Sequence, residues 1–197
     1  MNKDILICGV GGQGTVLSSR IIAAAAMEQG YPVKSAETIG MAQRGGPVTS
    51  HVRIGENAFS PLIPKGKADL IIGFEPAEVV RNLDYLATGG LAVVNTAAIR
   101  PTTASLSGDG YDGSEMRAYL QEHVNCILAD GNKECEQLGS VKFLNILLLG
   151  IAQGSGKLEI PGEVMIKEIE KRVPEKFREV NILAFNRGCE IGEQSKA

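Results

Sequence analysis

The sequence predicts an α/β fold, a three-layer α/β/α sandwich with a mostly parallel or mixed sheet, a Rossmann-like start and a helical C-terminal part. Three observations predict it. An apolar run at residues 5–8 leads through a glycine-rich turn into helical apolar spacing, which is how a βαβ unit begins. Two further apolar runs, 68–74 and 91–95, are typical of strands buried on both faces of a parallel sheet. The chain after residue 141 has the pattern of successive helices.

Length and composition predict one globular domain over residues 1–197. The chain has 44% hydrophobic and 22% charged residues, which are ordinary values. Its net charge of −3 and the lack of a Lys/Arg run argue against a nucleic-acid surface. No apolar run approaches the roughly 18 residues that a membrane span needs. The first residues lead directly into the first strand, so we expect no signal peptide and a cytoplasmic protein.

The elements follow from apolar spacing and from the glycines and prolines between them. Residues 48–54 alternate apolar and polar side chains, and we expect residues 59–63 to return antiparallel as a hairpin. Pro76 can start a helix over 77–86, which Gly89 and Gly90 would close. The predicted strands are 5–8, 32–37, 48–54, 68–74, 91–95 and 124–130. The predicted helices are 14–29, 77–86, 114–123, 141–153, 161–172 and 174–191, and residues 96–113 form a long loop.

The first glycine turn is a candidate anion site, and the alternative is a turn that only packs a helix tightly onto the sheet. Gly9, Gly11 and Gly14 have the G-x-G-x-x-G spacing, and the first amides of the following helix point at whatever lies above the turn. Candidate cofactor-binding residues on the coenzyme A or anion side are Gly11, Gly12, Gln13, Gly14 and Thr15. A dinucleotide site would require an acidic residue at the end of the second strand. Glu37 is late for that role and Lys34 occupies the expected place, so an NAD(P)-dependent reductase is an alternative that the spacing does not favour.

A second glycine-rich segment, 40–47, follows the second strand. Ligands bind at the carboxyl ends of strands in open α/β sheets, and Arg44 there sits beside flexible backbone that could approach an anion. The alternative is a flexible crossover. The candidate residues of this substrate or partner loop are Glu37, Met41, Gln43, Arg44, Gly45 and Gly46.

The residues predict no catalytic group and no metal site of the chain's own. The four cysteines, Cys8, Cys126, Cys135 and Cys189, are scattered, whereas iron–sulfur and zinc sites take cysteines in close pairs. We expect free thiols. His51 and His123 are interpreted as structural, and no serine lies in a nucleophile elbow.

Three ordered motifs together resemble one family. They are Gly9-Val-Gly-Gly-Gln-Gly-Thr15, Ala42-Gln-Arg-Gly-Gly-Pro-Val48 and Ala68-Asp-Leu-Ile-Ile-Gly-Phe-Glu75, and the helical ending 174–188 also fits. They resemble the gamma-type domain of 2-oxoacid:ferredoxin oxidoreductases, most closely the free-standing beta subunit of the indolepyruvate enzymes. The similarity covers nearly the whole chain.

The resemblance implies a subunit of a larger enzyme. That enzyme would decarboxylate an arylpyruvate on thiamine diphosphate and Mg²⁺, pass electrons through iron–sulfur clusters to ferredoxin, and release an acyl-CoA. The thiamine and cluster sites would lie on a large partner subunit, and the isolated chain would be inactive. Gly108-Asp109-Gly110 with Asn132 looks superficially like a thiamine motif, but the preceding residues are polar and we interpret it as a turn.

The sequence also leads to an expectation about assembly. We expect a dimer or an α₂β₂ complex, with the apolar helix 141–153 either central to the core or at an interface. Besides the NAD(P)-dependent reductase, the second alternative to an oxidoreductase subunit is a binding domain without enzymatic function.

Overall fold

The computed structural model describes residues 1–39, 45–99 and 110–195, in which six strands form one sheet with helices on both faces. The strands are β1 Lys3–Val10, β2 Val33–Ile39, β3 Pro47–Ile54, β4 Ala68–Gly73, β5 Leu86–Asn95 and β6 Cys126–Ala129. The helices are α1 Thr15–Glu28, α2 Pro76–Arg81, α3 Ser114–His123, α4 Gly131–Gln137, α5 Leu144–Gly154, α6 Gly162–Arg172 and α7 Arg178–Gln194. Short 3₁₀ turns occupy Leu83–Tyr85, Val141–Phe143 and Glu175–Phe177.

The sheet is mixed, with the strand order β2-β3-β1-β4-β5-β6. β1, β4, β5 and β6 pair in parallel, whereas β3 pairs antiparallel with both β1 and β2. β3 is therefore the one reversed strand of this sheet, and β2 runs in the same direction as β1 without touching it. The predicted α/β class, with its largely parallel sheet and helical C-terminal part, is confirmed.

Two apolar layers cover the two faces of the sheet. Alternate side chains of the central strands, such as Ile5 and Ile7, join α1, α5, α6 and α7 in the larger layer. Their neighbours, such as Leu6 and Cys8, pack against α2 and α3 on the opposite face. Helices thus cover both faces of the parallel strands. Because both faces are buried, these strands are almost continuously apolar.

Helix α5 lies inside the core, where it meets α7 backbone to backbone. A Cβ atom placed on Gly188 would lie 2.2 Å from the Leu147 carbonyl oxygen, and one on Gly150 would lie 2.1 Å from the Phe185 oxygen. Gly154 and Gly192 make the same kind of contact one turn further along. Since α7 covers α5 in this way, helix 141–153 belongs to the core, and it gives no support to the expected dimer.

The expected hairpin at residues 59–63 is wrong. The segment after β3 forms no strand, because β1 and β2 already pair with both edges of β3. Side chains from neighbouring strands satisfy its carbonyl groups instead. Arg53 donates to the oxygens of Ser60 and Leu62 at 3.1 and 3.3 Å, and Lys34 donates to the Phe59 oxygen at 3.0 Å.

The expected helix over 77–86 is too long, and the role predicted for Gly89 and Gly90 is also wrong. α2 ends at Arg81, where the Asn82 side chain donates to the Glu78 carbonyl oxygen at 2.8 Å. Both glycines lie inside β5, at a shift in its register with β4. Gly89 has a φ of 79°, so the glycines permit a bulge rather than ending a helix.

Among the described residues, none of the helices has the length and apolar character needed to cross a membrane.

We predict that Gly188→Ala lowers the free energy of unfolding by about 2 kcal/mol or more, because overpacking here pushes two backbones apart. Gly162→Ala is the matched control, since a Cβ atom there meets nothing within 4 Å. Denaturant unfolding of both variants checks this. Equal stability of the two variants would contradict the close α5–α7 contact.

Candidate binding cleft at the carboxyl ends of the strands

A cleft of about 430 Å³ opens at the carboxyl ends of the parallel strands, between the β1–α1 turn and the start of α5. Its volume is in the range of small-molecule sites. None of the lining residues that the structure describes carries a carboxylate, although the whole chain is acidic. The lining residues are Gly12, Gln13, Gly14, Leu17, Asn95, Ala97, Ala98, Ile99, Asn132, Val141, Lys142, Leu144 and Asn145.

The start of α1 presents unpaired amides at this cleft. Gly12 and Gly14 have φ values of 103° and 93°, and Gly14 is a left-handed N-cap residue that supplies no side-chain cap. The Ser18 N–H donates to the Gly14 oxygen at 3.1 Å. The amides before it have no partner inside the helix, and the first turn contains no acidic residue. The helix dipole therefore favours an anion here.

The start of α5 approaches from the other side and adds two donors. Asn145 is 5% exposed, and its side-chain amide forms no hydrogen bond with a described residue. It packs against the α1 turn, because a Cβ atom on Gly14 would lie 3.1–3.3 Å from its side-chain atoms. Lys142 lines the cleft and forms no ion pair within the described part of the chain. α5 too lacks a side-chain cap and an acidic first turn.

Asn95 fixes the floor of the cleft. Its buried side-chain NH₂ group donates to the Phe74 carbonyl oxygen at 3.2 Å and to Asn132 Oδ1 at 3.3 Å. Its Oδ1 accepts from the Gly131 N–H at 3.0 Å. Because the Asn132 oxygen is taken in this way, the Asn132 amide can offer its own NH₂ group to the cleft.

Gln13 and Gly11 have structural partners. The Gln13 side chain accepts from the Val10 N–H at 2.7 Å and donates to the Phe74 oxygen at 3.1 Å. The Gly11 N–H donates to the Gly46 oxygen at 2.9 Å, which joins the two glycine-rich segments. Gly11 and Gln13 thus hold neighbouring segments together, and Gln13 also lines the cleft beside Gly12 and Gly14.

The remaining predicted site residues do not line the cleft. Thr15 is buried at the start of α1. Glu37 lies on β2, where Ser19 Oγ donates to it at 3.4 Å and Arg20 Nε lies 4.0 Å away. Gly45 and Gly46 lead into β3 beside the β1–α1 turn. Met41, Gln43 and Arg44, like Gly108 and Asp109 of the thiamine-like motif, lie outside the described residues.

The position of Glu37 bears on a nicotinamide site. In a dinucleotide-binding βαβ unit the second strand lies beside the first, so its terminal carboxylate can reach the ribose above the glycine turn. Here β3 separates β2 from β1. Glu37 is consequently two strands away from the turn and bonded to the middle of α1.

Two buried carboxylates lie outside the cleft, after β4. Glu75 accepts from the Glu78 N–H at 3.0 Å and from the Tyr111 hydroxyl. Burial raises the pKa of Glu78, against the opposing effect of its ion pair with Arg81. Burial likewise raises the pKa of the Cys8 thiol, which therefore stays protonated. Glu75 and Glu78 have partners inside the fold, and neither they nor Cys8 belong to the described lining of the cleft.

Both histidines also have local partners. His51 Nδ1 accepts from the Ile63 N–H at 3.2 Å, and burial lowers its pKa. The His123 ring stacks on Tyr119, with Nδ1 2.9 Å from the Tyr119 oxygen. Neither ring lines the cleft.

The cysteines do not fit an iron–sulfur cluster. All four are free thiols on different elements, as the sequence predicts. Within residues 1–39, 45–99 and 110–195, no three His, Cys, Asp or Glu side chains come together as metal ligands would. Burial raises the pKa of each thiol, which disfavours the thiolate that a cluster requires.

Residues 4–191 match the model of the family described as pyruvate ferredoxin/flavodoxin oxidoreductase. The chain belongs to this family. It is 35% identical over 197 residues to the indolepyruvate oxidoreductase subunit IorB of Methanothermobacter thermautotrophicus, covering 99% of this chain and 100% of that one. The chain is accordingly a subunit of a 2-oxoacid:ferredoxin oxidoreductase, as the three motifs predict.

Solved structures of the family share this fold. The keto/oxoacid ferredoxin oxidoreductase gamma subunit of Geobacter sulfurreducens matches with a TM-score of 0.72 and 23% identity, over 98% of this chain and 99% of that one. The 2-oxoglutarate:ferredoxin oxidoreductase of Magnetococcus marinus, solved with 2-oxoglutarate, coenzyme A and succinyl-CoA bound, matches with a TM-score of 0.77 and 19% identity. That match covers 98% of this chain and 31% of the longer one.

Sequence reasoning missed most polar residues of the cleft. Asn95 ends a buried strand and Asn145 interrupts a strongly apolar helix, and each of these positions was a usable signal. Lys142 carried no such signal, because it stands in an ordinary polar-to-apolar transition before α5.

We predict that Gln13→Ala lowers the free energy of unfolding by about 1–3 kcal/mol, because the Val10 N–H and Phe74 oxygen lose their partner. Gln121→Ala, at an exposed position on α3, is the control and should change stability by less than about 0.5 kcal/mol. Thermal and denaturant unfolding would measure both. An unchanged Gln13→Ala protein would show that this side chain does not join β1 to β4.

Proposed function

We propose that this chain is the small, non-catalytic subunit of an indolepyruvate-class 2-oxoacid:ferredoxin oxidoreductase. A large partner subunit would carry thiamine diphosphate, Mg²⁺ and the iron–sulfur clusters and would pass electrons to ferredoxin. The full-length similarity to IorB supports the substrate class. In this proposal residues 1–197 act as one cytoplasmic domain, in a dimer or an α₂β₂ assembly.

The cleft carries the proposal for this subunit's own task, which is to bind the coenzyme A that accepts the acyl group. Coenzyme A is a phosphate-rich anion with a long, weakly polar arm. The cleft offers the amides of α1, the Lys142 ammonium and the buried Asn145 amide to an anion, with apolar walls such as Leu17 and Ile99 beside them. The Magnetococcus protein, which shares the fold, was solved with coenzyme A bound.

The glycine-rich loop is proposed to face the partner. The hydrogen bond between the Gly11 N–H and the Gly46 oxygen supports this proposal, because it holds residues 45–46 beside the β1–α1 turn. Glu37, Met41, Gln43, Arg44, Gly45 and Gly46 remain the predicted partner or substrate loop. In this proposal the partner's thiamine diphosphate would supply the decarboxylation chemistry and its iron–sulfur clusters the path of the electrons, while the cleft of this chain would hold the coenzyme A that accepts the acyl group.

The test is reconstitution with the large subunit, measured as indolepyruvate-dependent dye reduction at varied coenzyme A. Lys142→Glu should raise the KM for coenzyme A about tenfold, because it replaces an attraction to phosphate by a repulsion of roughly 1.4 kcal/mol. Lys67→Glu is the matched control, since Lys67 is exposed at the opposite end of the sheet, just before β4. The lone chain should show no turnover.

Two results would contradict the proposal. Turnover of a 2-oxo acid by the isolated chain would show that it is catalytic. Equal coenzyme A dependence in the Lys142→Glu and Lys67→Glu complexes would show that the cleft does not bind coenzyme A.

A further inference from the structure

One wall of the cleft has no regular secondary structure of its own. Ala97, Ala98 and Ile99 follow β5 and line the cleft. Residues 110–113 lead into α3. Neither segment belongs to the sheet ladder, so side chains must hold the wall in place.

Arg117, on the first turn of α3, joins these two segments. Its Nη1 atom donates to the Thr96 oxygen at 2.9 Å and to the Asp112 oxygen at 2.9 Å. An arginine is always charged and its donors are fixed in a planar fork, so it can hold two carbonyl groups in one arrangement. Thr96 is itself anchored, because its N–H donates to the Ala129 oxygen of β6 at 2.9 Å.

Tyr111 fixes the second segment to the sheet. Its hydroxyl donates to Glu75, which is buried after β4 and whose other oxygen caps α2. Gly113 then backs the wall directly, since a Cβ atom on it would lie 3.0 Å from the Ala98 Cβ. The wall is therefore connected to β4 through Tyr111 and to α3 through Arg117.

We propose that Arg117 and Tyr111 are positioning residues for coenzyme A: they touch no ligand, but they hold the 96–99 wall of the cleft at the spacing that the ligand requires. This inference rests on the proposed function of the cleft. Arg117 and Tyr111 do not line the cleft, so they affect the affinity for coenzyme A indirectly, through the position of the 96–99 wall.

The test uses the reconstituted complex with Arg117→Gln and Tyr111→Phe. Each should raise the KM for coenzyme A roughly three- to tenfold, because the variant loses hydrogen bonds that hold the 96–99 wall in position. The kcat at saturating coenzyme A and the KM for indolepyruvate should stay near the parent values. Arg117→Lys, which keeps the charge and one donor direction, should recover part of the affinity.

Arg178→Gln is the matched control, because Arg178 also donates to a backbone oxygen, that of Glu170, but away from the cleft. Amide exchange of the peptide that ends at residue 99 gives a readout without coenzyme A. It should speed up in the full-length Arg117→Gln chain and stay unchanged in Arg178→Gln.

The outcomes separate the two proposals. If Lys142→Glu raises the KM for coenzyme A while the Arg117 and Tyr111 variants match Arg178→Gln, the positioning role is wrong and the cleft remains the coenzyme A site. If Lys142→Glu has no effect, the proposed function of the cleft fails first, and the inference about coenzyme A fails with it.

Discussion

The Gln13 side chain is the constraint on which the rest of the site depends. Its amide oxygen and its amide nitrogen both form hydrogen bonds, which join the end of β1 to the residue that follows β4. The Gln13 side chain fits there because Gly9 has no side chain. A Cβ atom on Gly9 would lie 2.8 Å from both Gln13 Oε1 and the Phe74 Cβ. With the strand ends tied in this way, the backbone at Gly12 and Gly14 is left to face solvent at the start of α1. The glycine motif is thus partly a packing device and partly backbone that lines the cleft.

The reversed strand β3 explains how this chain departs from a dinucleotide-binding fold that begins in the same way. Its insertion between β1 and β2 moves Glu37 away from the turn and brings Gly46 to Gly11. Both effects come from a single change in strand order. A glycine turn that would suit a nicotinamide cofactor in one sheet order becomes, in this order, one side of the cleft, with Gly46 hydrogen-bonded to Gly11 of the same turn.

Secondary-structure elements that depend on a local pattern can be predicted from the sequence. Features formed where segments distant in the sequence come into contact cannot. Buried strands such as 68–74 were evident from apolar runs, and the helical C-terminal part from its spacing. Gly89 was misjudged because a glycine can permit a bulge as well as end a helix. The sequence predicts the cleft-facing glycines. Asn95 and Asn145 each stand out in an apolar stretch, but the sequence does not show that they share one cleft, because only the folded chain brings this strand end and this helix start together.

The central claim is that this subunit presents backbone amides and a cation to coenzyme A while its partner performs the chemistry. The most direct measurement is amide hydrogen exchange of the assembled complex with and without coenzyme A. Coenzyme A is expected to slow exchange at Gly14 and Leu17, which line the cleft and whose amides have no partner inside α1. Full turnover with coenzyme A and no protection at these amides would contradict it.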